Sequence, residues 1–108
     1  MRDNSKGGAL TEVTFFILLA LYEPKHGYAI MQFIEKRTRG RLLLGAGTLY
    51  GAINTMLDKG WIAPYGMDEE RKKEYLITEA GKLAVKKEID RLEQLLEIAH
   101  DITGGTVK

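Results

Sequence analysis

The sequence predicts a mainly α protein with a small β-hairpin, and three observations carry that expectation. Four segments show helical apolar spacing or helix-start signals. Two short strand-like runs, Trp61 to Tyr65 and Lys73 to Ile77, are joined by the charged stretch Gly66 to Lys72. The chain has 108 residues, 44% apolar and 29% charged, which suits one domain with one modest core.

Residues 1–9 are polar and glycine-rich and read as a disordered lead-in. Thr11 then offers an N-cap oxygen, with Glu12 well placed in the first turn. Val13 to Tyr22 is apolar almost all round, so this helix should be buried on most sides, and Pro24 prevents its continuation. A second helix starts near Gly27 with Ile30, Met31, Phe33 and Ile34 as its apolar stripe, and Gly40 ends it. Leu42, Leu43 and Leu44 read as a short buried strand.

Gly45-Ala46-Gly47 opens a third helix with Leu49, Ile53, Met56 and Leu57 inward. That stripe is narrow and leaves Thr48, Gly51, Asn54, Thr55 and Asp58 on an open face, with Tyr50 at its flank. Gly60 stops this helix ahead of the hairpin. Thr78 caps a last helix running to about Ile102, and a Gly104-Gly105 tail follows. The expected division is 1–9 lead-in, 10–78 helix-and-wing unit, 79–103 C-terminal helix and 104–108 tail.

In the last helix Val85, Ile89, Leu92, Leu96 and Ala99 alternate by four and three, and Leu95, Ile98 and Ile102 widen the seam. Such a helix is roughly 37 Å long, more than a domain of ~13 Å radius of gyration can cover. A second copy of the chain is the simplest cover, so these residues are the expected dimerisation seam.

Several function classes are excluded. With no cysteine there is no disulfide framework, thiolate zinc site or cysteine catalysis. His26 and His100 lie far apart without metal-ligand spacing, and Ser5 lies in the lead-in, so neither a metal site nor a Ser-His-Asp set is expected. No phosphate-binding loop or dinucleotide fingerprint occurs, so no enzyme and no cofactor are expected. No apolar run reaches the ~18 residues of a membrane span and no secretory h-region is visible, so a cytoplasmic protein is expected.

The order helix, helix, short strand, helix, hairpin, long helix is that of a winged helix-turn-helix followed by a long C-terminal dimerisation helix. The open face of its third helix is where a recognition helix displays side chains to the DNA major groove, while a wing tip reaches phosphates or the minor groove. The sixteen Lys and Arg against fifteen acids give a net charge of only +1, so binding to double-stranded DNA would rest on uneven charge.

Certain residues resemble a family. Leu18, Leu21 and Glu23-Pro24-Lys25-His26-Gly27-Tyr28, then Gly47-Thr48-Leu49-Tyr50 and Leu57-Asp58-Lys59-Gly60-Trp61-Ile62, resemble the PadR-like transcriptional regulators. The wing stretch from Arg71 to Gly81 resembles theirs too, and the likeness covers about Thr11 to Ala99. The resemblance implies a homodimeric bacterial or archaeal repressor of the short type, with one C-terminal dimerisation helix. Some relatives respond to a small hydrophobic or phenolic ligand. Two features depart from the family pattern: Gly45 and Ala46 replace a Ser-like cap and Pro, and Asp68, Glu69 and Glu70 precede the wing cations. Both lower the expected DNA affinity.

Individual residues carry two readings each. Thr48 and Asn54 are either plain surface or contacts to base edges and phosphate. Tyr50 is half-buried packing, while the resemblance implies a phosphate contact by its hydroxyl, and both can hold. The resemblance also places Tyr28 near DNA. Gly47 and Gly51 are either spacing residues or points where phosphate approaches the backbone, with the two readings even. Arg71, Lys72 and Lys73 are a solvated turn if taken as a bare charge run, and phosphate contacts once placed on a wing. Lys36, Arg37, Arg39 and Arg41 either only cap the second helix's negative end or include one or two contacts to DNA backbone, with both readings open. His26 and Trp61 read as structural. Phe15 and Phe16 are core or interface residues first, and weak candidates for binding a small hydrophobic effector. Two other functions compete: a winged-helix module that binds a protein partner, and a small-molecule sensor whose DNA binding is secondary.

Overall fold

The computed structural model describes residues 8–104; most of the expected lead-in and the tail beyond Gly104 lie outside them. The chain order is α1 (Glu12–Ala20), β1 (Lys25–His26), α2 (Gly27–Arg37), α3 (Ala46–Asp58), β2 (Ile62–Met67), β3 (Lys73–Ile77) and α4 (Glu79–Thr103). The start signals work as expected. The Thr11 hydroxyl accepts from the Thr14 amide at 3.1 Å and the Thr78 hydroxyl from the Gly81 amide at 3.1 Å. At Gly60, φ is +77°, a left-handed conformation that only glycine adopts at little cost, and the chain turns there from α3 into β2.

The core sits where α1, α2 and α3 meet the inner face of the sheet. Ile17, Leu18 and Leu21, Ile30 and Ile34, and Leu49, Ile53 and Met56 are all fully enclosed, with Ile62, Tyr75, Ile77 and Val85 closing the cluster. Each such aliphatic side chain contributes about 1.5–3 kcal/mol through removal from water. Arg41 pairs with Glu12, tying the α2–α3 connection to the start of α1.

Two expectations need correction. Leu42 to Leu44 is irregular rather than a buried strand: its Leu42 amide donates to the Thr38 hydroxyl at 3.1 Å, and Leu43 is exposed. The sheet order is β1-β3-β2, and residues 42–44 take no part in it. The third strand comes instead from Lys25–His26, which pairs antiparallel with β3 in the register Lys25↔Tyr75 and His26↔Glu74. On the other side β2 pairs with β3 from Ile62↔Ile77 to Met67↔Lys73, with a register shift between Pro64 and Gly66.

The start of α4 is docked by backbone. The Trp61 carbonyl accepts the Thr78 amide at 2.9 Å, and a methyl group on Gly81 would fall 2.1 Å from that same oxygen. One turn on, Val85 is buried in the core of its own protomer, so this member of the expected seam faces inward. Glu88, also buried, accepts from the Leu10 amide at 3.2 Å and from Arg91 at 2.9 and 2.6 Å. The Arg91 bonds, followed by the Leu10 amide, hold the Glu88 carboxyl below its usual range against the cost of burial. A lowered carboxyl pKa contributes stability that is present above the ordinary glutamate range and lost as pH falls through the lowered value. Beyond Arg91 the helix leaves the body, and Ile89, Leu92, Leu95, Leu96, Ile98 and Ile102 are exposed. Ala99, the last seam member, is exposed as well.

Because the Gly81 neighbour is backbone, it cannot rotate away. Gly81→Ala is expected to destabilise the protein by about 2 kcal/mol, with a fall of roughly 10 °C in Tm by calorimetry. Gly47→Ala, with open space around the added carbon, is the control and should not lower Tm.

Candidate nucleic-acid interface

The outer face of α3 is bare. Gly47, Thr48, Gly51 and Asn54 are all exposed, and among the described residues neither the Thr48 nor the Asn54 side chain has a hydrogen-bond partner. A methyl group added at Gly47 or Gly51 would meet nothing within 4 Å, so no packing inside the protein calls for glycine there. Gly51 lies well inside the helix, where glycine costs about 1 kcal/mol relative to alanine.

Beside this face, β1 and β3 draw four of the expected contacts together. Tyr28, Tyr50, Lys72 and Lys73 line one shallow cleft of about 430 Å³ with His26 and Tyr75. Tyr50 lies across the start of α2: a methyl group on Gly27 would fall 2.2 Å from its hydroxyl. Packing against α2 and partial exposure therefore coexist at Tyr50, which is 45% exposed, while Tyr28 is 58% exposed. Burial, and then the nearby Tyr50, raise the Tyr75 hydroxyl pKa above its ordinary value, so Tyr75 stays neutral beneath the cleft.

The wing tip is more constrained than its charge run suggests. Asp68 Oδ1 accepts the amides of Glu70 at 2.9 Å and Lys72 at 2.8 Å, and its own amide donates to the Lys72 carbonyl at 2.9 Å. Arg71 is held at φ +65°, an uncommon conformation for a side chain-bearing residue. Lys72 Nζ lies 2.7 Å from Glu70 Oε1, and that pairing raises its pKa. Arg71 and Lys73 are exposed with no side-chain ion pair among the described residues.

The other cations sit elsewhere. Lys36 and Arg37 lie at the far end of α2 from Tyr28, about 12–14 Å along its axis. Arg37 stacks 5.1 Å from the Phe33 ring centre, Arg41 is engaged by Glu12, and Arg39 is at φ +54° in the turn. Phe16 lines a cleft of about 450 Å³ with Leu19, Tyr22, Phe33 and Arg37, whereas Phe15 is half-buried against the core and is not on that lining. A larger opening of about 530 Å³, between Leu10, Thr14, Trp61 and Leu83, is lined by neither phenylalanine.

From the sequence His26 reads as structural and Asp68 as an acid beside the wing cations, with no contact between them expected. The structure makes His26 the N-cap of α2, accepting the Ala29 amide on Nδ1 at 3.2 Å, and puts its Nε2 3.4 Å from Asp68. An Asp two residues ahead of Glu70 and four ahead of Lys72 was the available signal, since aspartate commonly caps a turn of that length. Among the described residues there is no group of three or more metal-ligating side chains, and no helix is long and apolar enough to cross a membrane.

Four helices, a three-stranded antiparallel wing sheet and an open third helix define a winged-helix regulator. The sequence pattern of the transcriptional regulator PadR-like family matches residues 17–87, and the chain belongs to that family, whose members are transcription regulators and not enzymes. Among solved structures, a transcriptional regulator from Clostridium thermocellum is 25% identical with a TM-score of 0.74, over 94% of this chain and 96% of that one. RosR from H. salinarum is 26% identical with a TM-score of 0.63, over 90% and 96%. PadR from Bacillus subtilis, solved in complex with operator DNA, shares the fold at 20% identity and a TM-score of 0.63, over 71% of this chain and 46% of that one. Comparison with curated protein sequences returned no match.

The Glu70–Lys72 pair is directly measurable. Glu70→Gln is expected to lower the Lys72 amine pKa toward the ordinary lysine value in an NMR titration. An unchanged titration would mean that the pair does not persist in solution.

Proposed function

We propose that this chain is a sequence-specific DNA-binding repressor that acts as a homodimer on a palindromic operator. The observation that carries the reading is the bare α3 face lying beside the tyrosine and lysine cleft. Thr48 and Asn54 present hydrogen-bonding groups to base edges. Gly47 and Gly51 let the helix come close, and Tyr28, Tyr50, Lys72, Lys73 and Arg71 contact the flanking backbone. The Bacillus subtilis relative shares this fold and is solved in complex with operator DNA, which supports DNA as the partner. Family membership supports repression, and supports release by a small hydrophobic or phenolic effector, for which the Phe16 cleft is one opening in the body. The exposed apolar seam of α4 supports the homodimer, with Ile89, Leu92, Leu96 and Ala99 covered by a second copy.

The test is selection of duplexes from a random pool at about 150 mM salt, where non-specific electrostatic binding is weakened. An enriched inverted repeat with half-sites one helical turn, ~34–36 Å, or a multiple apart is expected. On that duplex Gly51→Ala should weaken binding although it raises stability by about 0.5–1 kcal/mol, since a helix-interior glycine is replaced where nothing in the protein is crowded. No retention of any duplex even at about 50 mM salt by folded dimer would favour a protein-binding winged helix instead.

The dimer has its own test. Leu92→Asp combined with Leu96→Asp places two charges in the seam and is expected to give folded monomers in sedimentation. An intact dimer would put the interface elsewhere.

A further inference from the structure

The wing carries its cations beyond a weak point. The β2–β3 ladder changes register between Pro64 and Gly66, a bulge of the kind that bends a strand, and resumes as Gly66↔Glu74 and Met67↔Lys73 beside the tip. On the other edge β1 pairs with β3 only at Tyr75 and Glu74 and stops short of Lys73. The tip turn, residues 68–72, is closed on itself by the Asp68 bonds to Glu70 and Lys72 and by the Arg71 amide donating to the Asp68 carbonyl at 2.9 Å. It is therefore a small self-closed turn carried beyond a bulge in the ladder. Among the described residues, the one ion pair or side-chain bond from that unit to the rest of the protein is Asp68 Oδ2 to His26 Nε2, at 3.4 Å.

His26 is itself fixed. Its Nδ1 accepts the Ala29 amide, so in the neutral ring the proton sits on Nε2, the nitrogen 3.4 Å from Asp68 Oδ2. Both side chains are about four-fifths buried, at 19% and 20% exposure, so water competes little for the contact. The His26–Asp68 contact thus joins the capping bond at the start of α2 to the bond between Asp68 and the Lys72 amide.

We propose that His26 is the positioning residue of the wing: by holding Asp68 it sets Lys72 and its neighbours beside the Tyr28 and Tyr50 hydroxyls, so that wing and α3 engage one duplex as a preformed surface. This rests on the DNA-binding reading. Its physical content is preorganisation, since a tip that must be ordered on contact spends part of its phosphate attraction on that ordering. His26 need not touch DNA.

Two variants cut the link from opposite ends while sparing local structure. In His26→Asn the shorter amide still caps α2, asparagine being among the best N-caps, but cannot reach Asp68. In Asp68→Asn the remaining oxygen still accepts from Glu70 and Lys72, while the amide opposes the His26 N–H. The experiment measures duplex binding against salt concentration, with 15N relaxation of residues 68–72, for wild type, each single variant and the double.

Each single variant is expected to keep its Tm, to show faster motion of residues 68–72 and to lower the salt slope by about one, as if one phosphate contact were lost. The double should be no weaker than either single, because both cut the same link. Lys72→Ala should then cost nothing further in the His26→Asn background. Wild-type binding with additive losses in the double, or with tip relaxation unchanged, would overturn the link and leave the DNA reading standing. Absence of duplex binding by wild type itself would overturn the DNA reading, and with it this role for His26.

Discussion

Everything at the interface depends on β3 being a central strand. Its pairing with β2 alone would make a free hairpin, marginal in stability and loosely aimed. Pairing with Lys25 and His26 on the other edge joins that hairpin to the residues immediately before α2. The start of α2, the first turns of α3 and the base of the wing are thereby held at one corner of the protein. Gly27 lets the Tyr50 ring lie against that corner, and Tyr75 fills the space beneath. Two backbone pairs bring together side chains from three separate elements.

The long C-terminal helix divides its length between two tasks. Its first three turns belong to the body: Gly81 lies against the Trp61 carbonyl, Val85 enters the core, and the Glu88 carboxylate holds Leu10 and Arg91. A buried carboxylate is tolerated there because Arg91 and a backbone amide occupy its oxygens. Past Arg91 the apolar residues are exposed among the described residues, so the helix projects and draws the molecule out to 53 Å along its long axis. The division falls where the side chains that could meet the core run out.

Local stability is given up around the candidate interface. Gly51 occupies a helix interior that alanine would suit better, Arg71 takes a backbone conformation better suited to glycine or asparagine, and three acids crowd the wing cations. The Arg71 conformation is offset by its amide donating to the Asp68 carbonyl, whereas Gly51 has no neighbour among the described residues that calls for glycine, and features of that kind gather where function rather than folding sets the residue. The acids differ among themselves. Asp68 closes the tip turn and Glu70 engages Lys72, so part of the unfavourable charge is structural.

Helix starts, helix ends and the open face of α3 were all legible in the amino-acid sequence. Thr11, Thr78 and Gly60 act on backbone groups within a few residues, and apolar spacing reports which side of a helix is buried. The hairpin and the surplus of apolar surface on α4 were legible for the same reason. Tertiary structure alone decided that Lys25–His26 is a strand and Leu42–Leu44 is not. A two-residue strand has no periodicity to read, and it exists only because a partner from much later in the chain comes alongside. Long-range pairing likewise turned Val85 inward and gave His26 and Asp68 each other. Caps and periodicity are properties of neighbours in sequence, whereas a strand edge, a core position and an ion pair across elements are properties of neighbours in space.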